Sequence, residues 1–566
     1  MRSSEYIARF LKDKGITIVF ELQGGMITRL IDAIHHEKGI RIVSMHHEQG
    51  AAMAADAFGR ITNKPGIALA TSGPGATNLL TGIGNCYFDS VPAIFITGQV
   101  NIDEQKGELP TRQIGFQETD IVSMAKPITK GAFAIKNAID IPAILEDAYK
   151  LSTSGRPGPV LIDVPMNIQN EEINTIDLKI YDPSPKPKSQ IYTDFIEKFL
   201  IDLGSCKRPL ILAGRGIRAS GSIDYFREFV KKYRIPVVTS LLGFDVLPFS
   251  HKERVGFIGT YGNRWANYGL GSCDLLLVLG SRLDLRQTGS DISSFKKGKI
   301  IYHVDIDQAE LNNRIKNCIT LKADLLDFFI QLEKSGSCHV VPKEWIKEIE
   351  GKKQARSDIE ELDDVKGINP NIFIHRLSKA SNRARAFIAD VGNNQMWCSQ
   401  SLELSLNQLF LTSGGMGAMG YALPAAIGAS ITMGNVPVVA ISGDGGFQIN
   451  IQELQTIRRN NLPIKMVILN NHCLGMIRQF QDSYFESCYQ STVWGYDSPD
   501  FSKVALAYGI ESFSVDKPEE IETGIHKLWE NPARPFLLEV SINIYTNVSP
   551  KIMFGNPINK MEPLVD

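Results

Sequence analysis

Short apolar runs that lack the polar alternation of a half-wet strand recur along this chain in three groups, with helical stretches between the runs of each group. A strand that is apolar throughout has both faces covered, and such runs alternating with helices are the pattern of parallel α/β sheets. The first group, ITIVFEL, RIVSMH, GIALATS, AIFITGQV and PVLIDV, fills the first 170 residues. Periodicity then breaks at Tyr181 to Gln190 (YDPSPKPKSQ), a Pro- and Lys-rich stretch that reads as a linker. The second group is PLILAG, PVVTS, DLLLVLG and IIYHVDID, followed by the charged segment Glu344 to Lys366, read as a partly helical connection. The third, from about Asn369, is AFIADVG, PVVAISGD, IKMVILNN and FLLEVSI. The expected fold is α/β, three consecutive doubly wound parallel-sheet domains at residues 1–180, 190–342 and 369–566.

Charge narrows the choice of partner. Sixty Lys plus Arg against 62 Asp plus Glu leave a formal charge of -2, so no global field recruits nucleic acid or an anionic membrane. Small molecules are the expected partners. The eight cysteines form no CxxC pair and no zinc-like spacing. Arg9, Lys12 and Lys14 stand where a signal peptide needs an apolar core, and no run of about 18 apolar residues occurs. A cytoplasmic enzyme is the expectation.

The most specific signal is Gly443-Asp444-Gly445 at the end of one strand-like run, followed after 24 intervening residues by Asn470-Asn471 at the end of the next. In a parallel sheet these corners lie on neighbouring carboxyl-end loops, where ligands collect. Glycines beside Asp444 let backbone approach a phosphate, and a carboxylate, an amide oxygen and a backbone carbonyl suit Mg²⁺ bound with a diphosphate. GDG alone is a common turn; the full spacing on two strand ends is not.

Here the chain resembles the thiamine diphosphate enzymes, specifically the acetolactate synthase-like family, over nearly all of its length. The resemblance assigns metal ligation to Asp444, Asn471 and the main-chain oxygen of Cys473. It makes the three domains pyrimidine-binding, central FAD-binding-like and diphosphate-binding. In HEQGA, Glu48 by itself reads as a helix-start carboxylate; the resemblance makes it the glutamate that hydrogen-bonds the cofactor aminopyrimidine and activates it. Ser413 to Gly420 (SGGMGAMG) resembles the segment that bends the cofactor, with Met419 as wedge, otherwise a core filler, and Gly417 as the close backbone contact. The loop Val391 to Trp397 resembles the diphosphate grip, with Asn393-Asn394 where the family commonly has Gln-His. Gly443, Gly445 and Gly446 complete the diphosphate contacts. One cofactor would then bridge the first and third domains, which in the family come from different subunits, implying a homodimer or homotetramer.

In the middle domain, Gly214 and Gly216 after PLIL form a weak dinucleotide turn. GTYGNRWANY, GSRLDLRQTG, HVDID and KAD resemble the FAD-binding domain of acetolactate synthases. Arg282 and Arg286 would neutralise phosphate or a substrate carboxylate, and Asp305 and Asp324 would accept ribose or adenine hydrogen bonds. FAD would act structurally, since carboligation needs no electron transfer.

Phe116-Gln117-Glu118-Thr119 and Thr129-Lys130 resemble active-site segments, with Phe116, Gln117 and Lys130 as catalytic candidates, and tie the donor to pyruvate. The expected reaction decarboxylates pyruvate and joins the two-carbon unit to a ketone. Departures cluster on the acceptor side. Phe480 replaces a Trp, Met166 a Lys, and ELQGG the usual YPGG, while Asn101 to Gly115 is longer than usual. They leave open a nucleotide-linked 4-keto sugar as acceptor. A pyruvate oxidase, a decarboxylase and a non-catalytic relative are further readings, the last opposed by intact Glu48, Asp444 and Asn471. The tail from Tyr545 is expected to fold over the site as a lid.

Overall fold

The computed structural model describes residues 1–173, 192–335 and 342–564; the Tyr181–Gln190 linker lies outside them. They build three sheets of six strands, every pairing parallel. The first contains β1 (Ile18–Leu22), β2 (Arg41–Ser44), β3 (Gly66–Ala70), β4 (Ala93–Gln99), β5 (Gly131–Ala134) and β6 (Pro159–Pro165) in the order β2-β1-β3-β4-β6-β5. The second contains β7 (Pro209–Ala213), β8 (Val237–Thr239), β9 (Arg254–Phe257), β10 (Leu275–Leu279), β11 (Ile300–Asp305) and β12 (Ile319–Lys322), ordered β12-β11-β10-β7-β8-β9. The third contains β13 (Ala386–Ala389), β14 (Leu409–Thr412), β15 (Val438–Gly443), β16 (Ile464–Asn470), β17 (Glu511–Val515) and β18 (Phe536–Ser541), and repeats the order of the first.

Strand order locates the ligand crevices. In an open parallel sheet, ligands bind beyond the carboxyl ends where the strand order reverses. Those points are β1/β3 in the first sheet, β7/β10 in the second and β13/β15 in the third. The second sheet, read from β9, has the 3-2-1-4-5-6 order of dinucleotide-binding folds.

The first and third sheets share one apolar core, sealed by the helices Glu48–Thr62 and Ala422–Thr432. Their sequences, EQGAAMAADAFGRIT and ALPAAIGASIT, are rich in Ala and Gly, so the backbones approach closely. A Cβ on Gly428 would strike the carbonyl of Ala54. Along their contact Tyr421 meets Asp56 and Gly428 meets Ala54. The middle sheet has its own core, which extends past residue 342: the helix Lys343–Ala355 buries Trp345 and Ile349 there. The C-terminal stretch does more than cover the third domain. Ile552, Ile558 and Met561 are buried in the middle core, and Ile552 N–H donates to the Thr260 carbonyl at 2.8 Å, so the tail straps the third domain to the second. No helix among the described residues is long and apolar enough to cross a membrane.

Candidate active site

Asp444 opens the helix Asp444–Ile449 directly after β15, and Asn471 follows β16, so the two meet across one strand pairing beside the β13/β15 reversal. Both are buried. Two orientations of the Asn471 amide are possible. In one, its nitrogen donates to Asp444 Oδ1 at 3.1 Å and to the Cys473 carbonyl at 2.8 Å. In the other, its oxygen takes that place, and three oxygens face one another with no proton between them. Octahedral Mg²⁺ with ligands at about 2.1 Å sets adjacent oxygens about 3 Å apart, so the second arrangement suits a cation and is repulsive without one. His472, between the two ligand positions, is held at φ +50, a left-handed strain that turns the Cys473 carbonyl inward. Tyr496 donates to Asp444 Oδ2 at 2.9 Å, occupying the oxygen not aimed at Asn471. Burial pushes Asp444 up to about 6 despite this bond, and a bound cation would offset that penalty.

Gly475 opens the next helix, and a Cβ on it would lie 2.5 Å from Asn471 Nδ2 and 2.6 Å from Asn393 Nδ2. Asn393 therefore belongs to this cluster. Its Oδ1 and the Thr546 hydroxyl are buried without a hydrogen-bond partner, the state expected of groups awaiting a polar ligand. Asn394 is committed elsewhere, donating to the carbonyls of Asp390 (2.7 Å) and Ile441 (3.3 Å). Gly443 and Gly446 are glycines because neighbours fill their side-chain space: a Cβ would stand 3.2 Å from Asn394 Oδ1 and 2.7 Å from Asp390 Oδ1 respectively. A Cβ on Gly445 would stand 3.2 Å from Met419 Cε, which brings Met419 to the Asp444 corner. Met419 is 36% exposed, and Gly417, at φ +66, faces open space. An apolar side chain presented to an open cleft fits a wedge for a ligand ring.

Asp390 escaped the sequence reading. Fully buried after β13, it accepts from the N–H groups of Val391, Gly420 and Ala422 at 2.8–2.9 Å and so ties the Met419 segment to the sheet. Burial pushes it up to about 6.

Glu48 is the first residue of its helix, and Asn78 donates to its Oε2 at 2.9 Å. A Cβ on Gly75 would lie 3.1 Å from its Oε1. Gln117 packs on Gly73 in the same loop cluster, at φ +67, and carries the 80%-exposed Phe116 beside it. Lys130 is not brought to this group: its ammonium donates to the carbonyls of Ser154 (2.7 Å) and Arg156 (2.8 Å). The long loop before Phe116 is braced by Glu118, which accepts from Lys106 N–H (2.6 Å) and Ile114 N–H (2.9 Å).

The corner preceding Glu48 is held by a residue of the third domain. Glu453, wholly buried, accepts from His46 N–H at 3.0 Å and from the Thr456 hydroxyl at 2.7 Å. Burial pushes its carboxyl up to about 7. Between the ordinary value of 4.5 and 7 the folded chain thus holds a proton that the unfolded chain releases. The resulting stability is full below the lower value and is lost as pH rises through 7. Glu453→Gln is expected to remove this loss, raising stability at pH 8 by on the order of 3 kcal/mol and leaving it unchanged at pH 4. Denaturant titrations of both proteins across that range check it.

A second site lies at the β7/β10 reversal, a cavity of about 540 Å³ walled by all three domains. Gly216 lines it, while Gly214 does not; a side chain on either would strike Gly280 of the opposite loop, so Gly214 serves loop packing. Arg282, Arg286, Asp305 and Asp324 all line it. Asp324 also caps its helix through Leu326 N–H at 2.8 Å, and burial pushes Asp305 up to about 6. Arg215, missed in the sequence because it sat between two glycines, has Nε and Nη2 buried without partners. Burial lowers it to about 10. A diphosphate would answer that unpaired guanidinium. Phe480 and the tail residues Lys551 to Phe554 sit at the same cavity.

Comparison with known proteins identifies the family. Residues 1–124, 196–332 and 390–540 match the N-terminal TPP binding, central and C-terminal TPP binding domains of the thiamine pyrophosphate enzymes. The acetolactate synthase large subunit of Lactococcus lactis is 37% identical over 98% of this chain and 94% of its own. Acetolactate synthase isozyme 2 large subunit of Escherichia coli K12 is 33% identical over 99% of both, and chloroplastic acetolactate synthase 2 of Nicotiana tabacum 35% identical over 98% and 84%. With three matched domains in order and relatives aligned from end to end, this chain belongs to the acetolactate synthase-like family of thiamine diphosphate enzymes.

Proposed function

We propose that this chain is a thiamine diphosphate-dependent carboligase that decarboxylates pyruvate and transfers the two-carbon unit to a ketone acceptor. The observation that carries it is the corner where Asp444, the Asn471 amide and the Cys473 carbonyl meet beside an exposed Met419, in a chain related over nearly its whole length to acetolactate synthase large subunits. Asp444, Asn471 and the Cys473 carbonyl would hold Mg²⁺, and Asn393 and Thr546 would meet the diphosphate. Bound, thiamine diphosphate supplies the electron sink for loss of carbon dioxide.

The protein's part is to bind, orient and move a proton. With Asn78 on Oε2, Glu48 keeps Oε1 for sharing a proton with the aminopyrimidine. Tyr496 leaves Asp444 Oδ1 to the cation. Gln117 and Phe116 would face the substrate, and Lys130, with its ammonium already bonded, would act through the 154–156 turn. FAD would fill the middle cavity, its diphosphate on Arg215 and its adenosine hydroxyls on Asp305 and Asp324, with Arg282 and Arg286 toward the substrate end.

Two copies would complete each site. Glu48 lies at the start of its helix, eight residues and about 12 Å from Asp56, where Tyr421 and the Met419 corner begin. Its neighbours Asn78 and Gly75 are of the first domain. The Glu48 of one chain and the Asp444 of another would embrace one cofactor, as the family resemblance implies, in a homodimer or a pair of dimers. Incubation with pyruvate, Mg²⁺ and thiamine diphosphate is expected to yield acetolactate by mass, and the denatured protein to release flavin. Acetaldehyde or acetate as the sole product would overturn the carboligase reading.

A further inference from the structure

The segment Gly414 to Tyr421 carries Gly417 and Met419, and both of its ends are tied to one group of buried charges from the first domain. Asp89 holds the start, its Oδ2 accepting from Gly414 N–H at 2.9 Å and its Oδ1 from Gly415 N–H at 2.6 Å. Asp56 holds the end, accepting from the Tyr421 hydroxyl at 2.6 Å. Arg60 joins the carboxylates, with Nε on Asp56 at 2.6 Å and Nη2 on Asp89 at 2.7 Å, and its guanidinium lies over the Tyr421 ring. All four side chains are buried. Two carboxylates and one guanidinium leave a net negative charge. Arg215 of the middle domain has two buried nitrogens without partners. Asp89, Arg215 and Gly414 also line the same cavity.

We propose that Asp56, Arg60 and Asp89 form a positioning clamp that couples an anion bound at Arg215 to the geometry of the Met419 segment. The inference rests on reading the middle cavity as a dinucleotide site. Without an anion, the unanswered Arg215 charge pulls on the Asp89 carboxylate of the same cavity wall and opposes Arg60, in surroundings where charges are weakly screened. An anion on Arg215 cancels that pull and strengthens the hold of the two Asp89 oxygens on the amides they already accept from. Binding in the cavity thereby tightens binding at Met419, and linkage makes the effect reciprocal.

Calorimetric titration of the cofactor-stripped full-length protein with thiamine diphosphate and Mg²⁺, with and without saturating FAD, tests this. In the wild type, FAD should tighten thiamine diphosphate by about fivefold or more. Arg215→Gln removes the competing charge, so without FAD it should bind thiamine diphosphate as tightly as the wild type does with FAD. Asp89→Asn turns an amide group toward one glycine N–H; its affinity should fall by about tenfold and cease to respond to FAD. Because breaking a buried ion pair can prevent folding, Tyr421→Phe is the milder variant, expected to lose about threefold. Equal affinities in the wild type and Arg215→Gln without FAD, or an undiminished response to FAD in Asp89→Asn, would overturn the clamp. A wild type that takes up no FAD, beside an Arg215→Gln that still gains affinity, would overturn the flavin reading and sustain the clamp.

Discussion

Glu48→Gln is expected to lower kcat on pyruvate by about 10²–10⁴-fold while holding the affinity for thiamine diphosphate within a few-fold of wild type. The substitution keeps the volume of a side chain that is 6% exposed. Its oxygen can still accept from Asn78, whose amide lies 2.9 Å from Oε2, so the corner keeps its shape. An amide lacks the ability to hold and release a proton at the position beside Gly75. Deuterium exchange at C2 of the bound cofactor reads that step directly. Exchange at the wild-type rate would remove Glu48 from the chemistry.

Asp444→Asn should do the opposite, abolishing cofactor retention before any chemistry begins. It removes the only charge among Asp444, Asn471 and the Cys473 carbonyl and puts an amide that can donate to its neighbours where the cation's carboxylate ligand stood. Mg²⁺-dependent affinity for thiamine diphosphate is expected to fall at least about 100-fold, since even outer partners of a metal site are worth 10–100-fold. Retention of wild-type Mg²⁺ dependence would move the metal elsewhere. Mixed after dissociation and reassociation, the two inactive variants should recover about a quarter of wild-type activity, because half of the dimers are mixed and each has one intact site. A site built within one chain would recover none.

The two variants separate the residues that the sequence exposed from those it concealed. Asp444 and Asn471 were legible because consecutive parallel strands put successive carboxyl-end corners side by side, so a sequence spacing became a spatial one. Asp390 was not, since nothing in AFIADVG distinguishes a carboxylate gathering three backbone N–H groups from one facing water. Glu453 and Asp89 act across 407 and 325 residues of chain, on His46 and Gly414. Arg215 sat in a glycine turn read for its glycines, and only burial without a partner marks it. Lys130 shows the converse: it stands in a recognisable segment, yet its ammonium is bonded to a nearby turn.

The strands divide along a similar line. Every interior strand was readable as an apolar run, because a strand covered on both faces and both edges tolerates little else. The runs that escaped notice are β5, β9, β12, β14 and β17, and each is the edge of its sheet. GAFA and ITLK are only half-buried and carry too little apolar sequence to stand out.

By itself, then, the chain's order of residues determined three parallel sheets, the corner at Asp444 and the glutamate that starts a helix, because these depend on local periodicity and on motifs confined to one strand–helix unit. Tertiary structure alone decided which carboxylates are buried and which distant side chains hold the Glu48 and Met419 segments. Those follow from desolvation and from the close packing of two Ala-rich helices, and both arise only when distant segments close on one another.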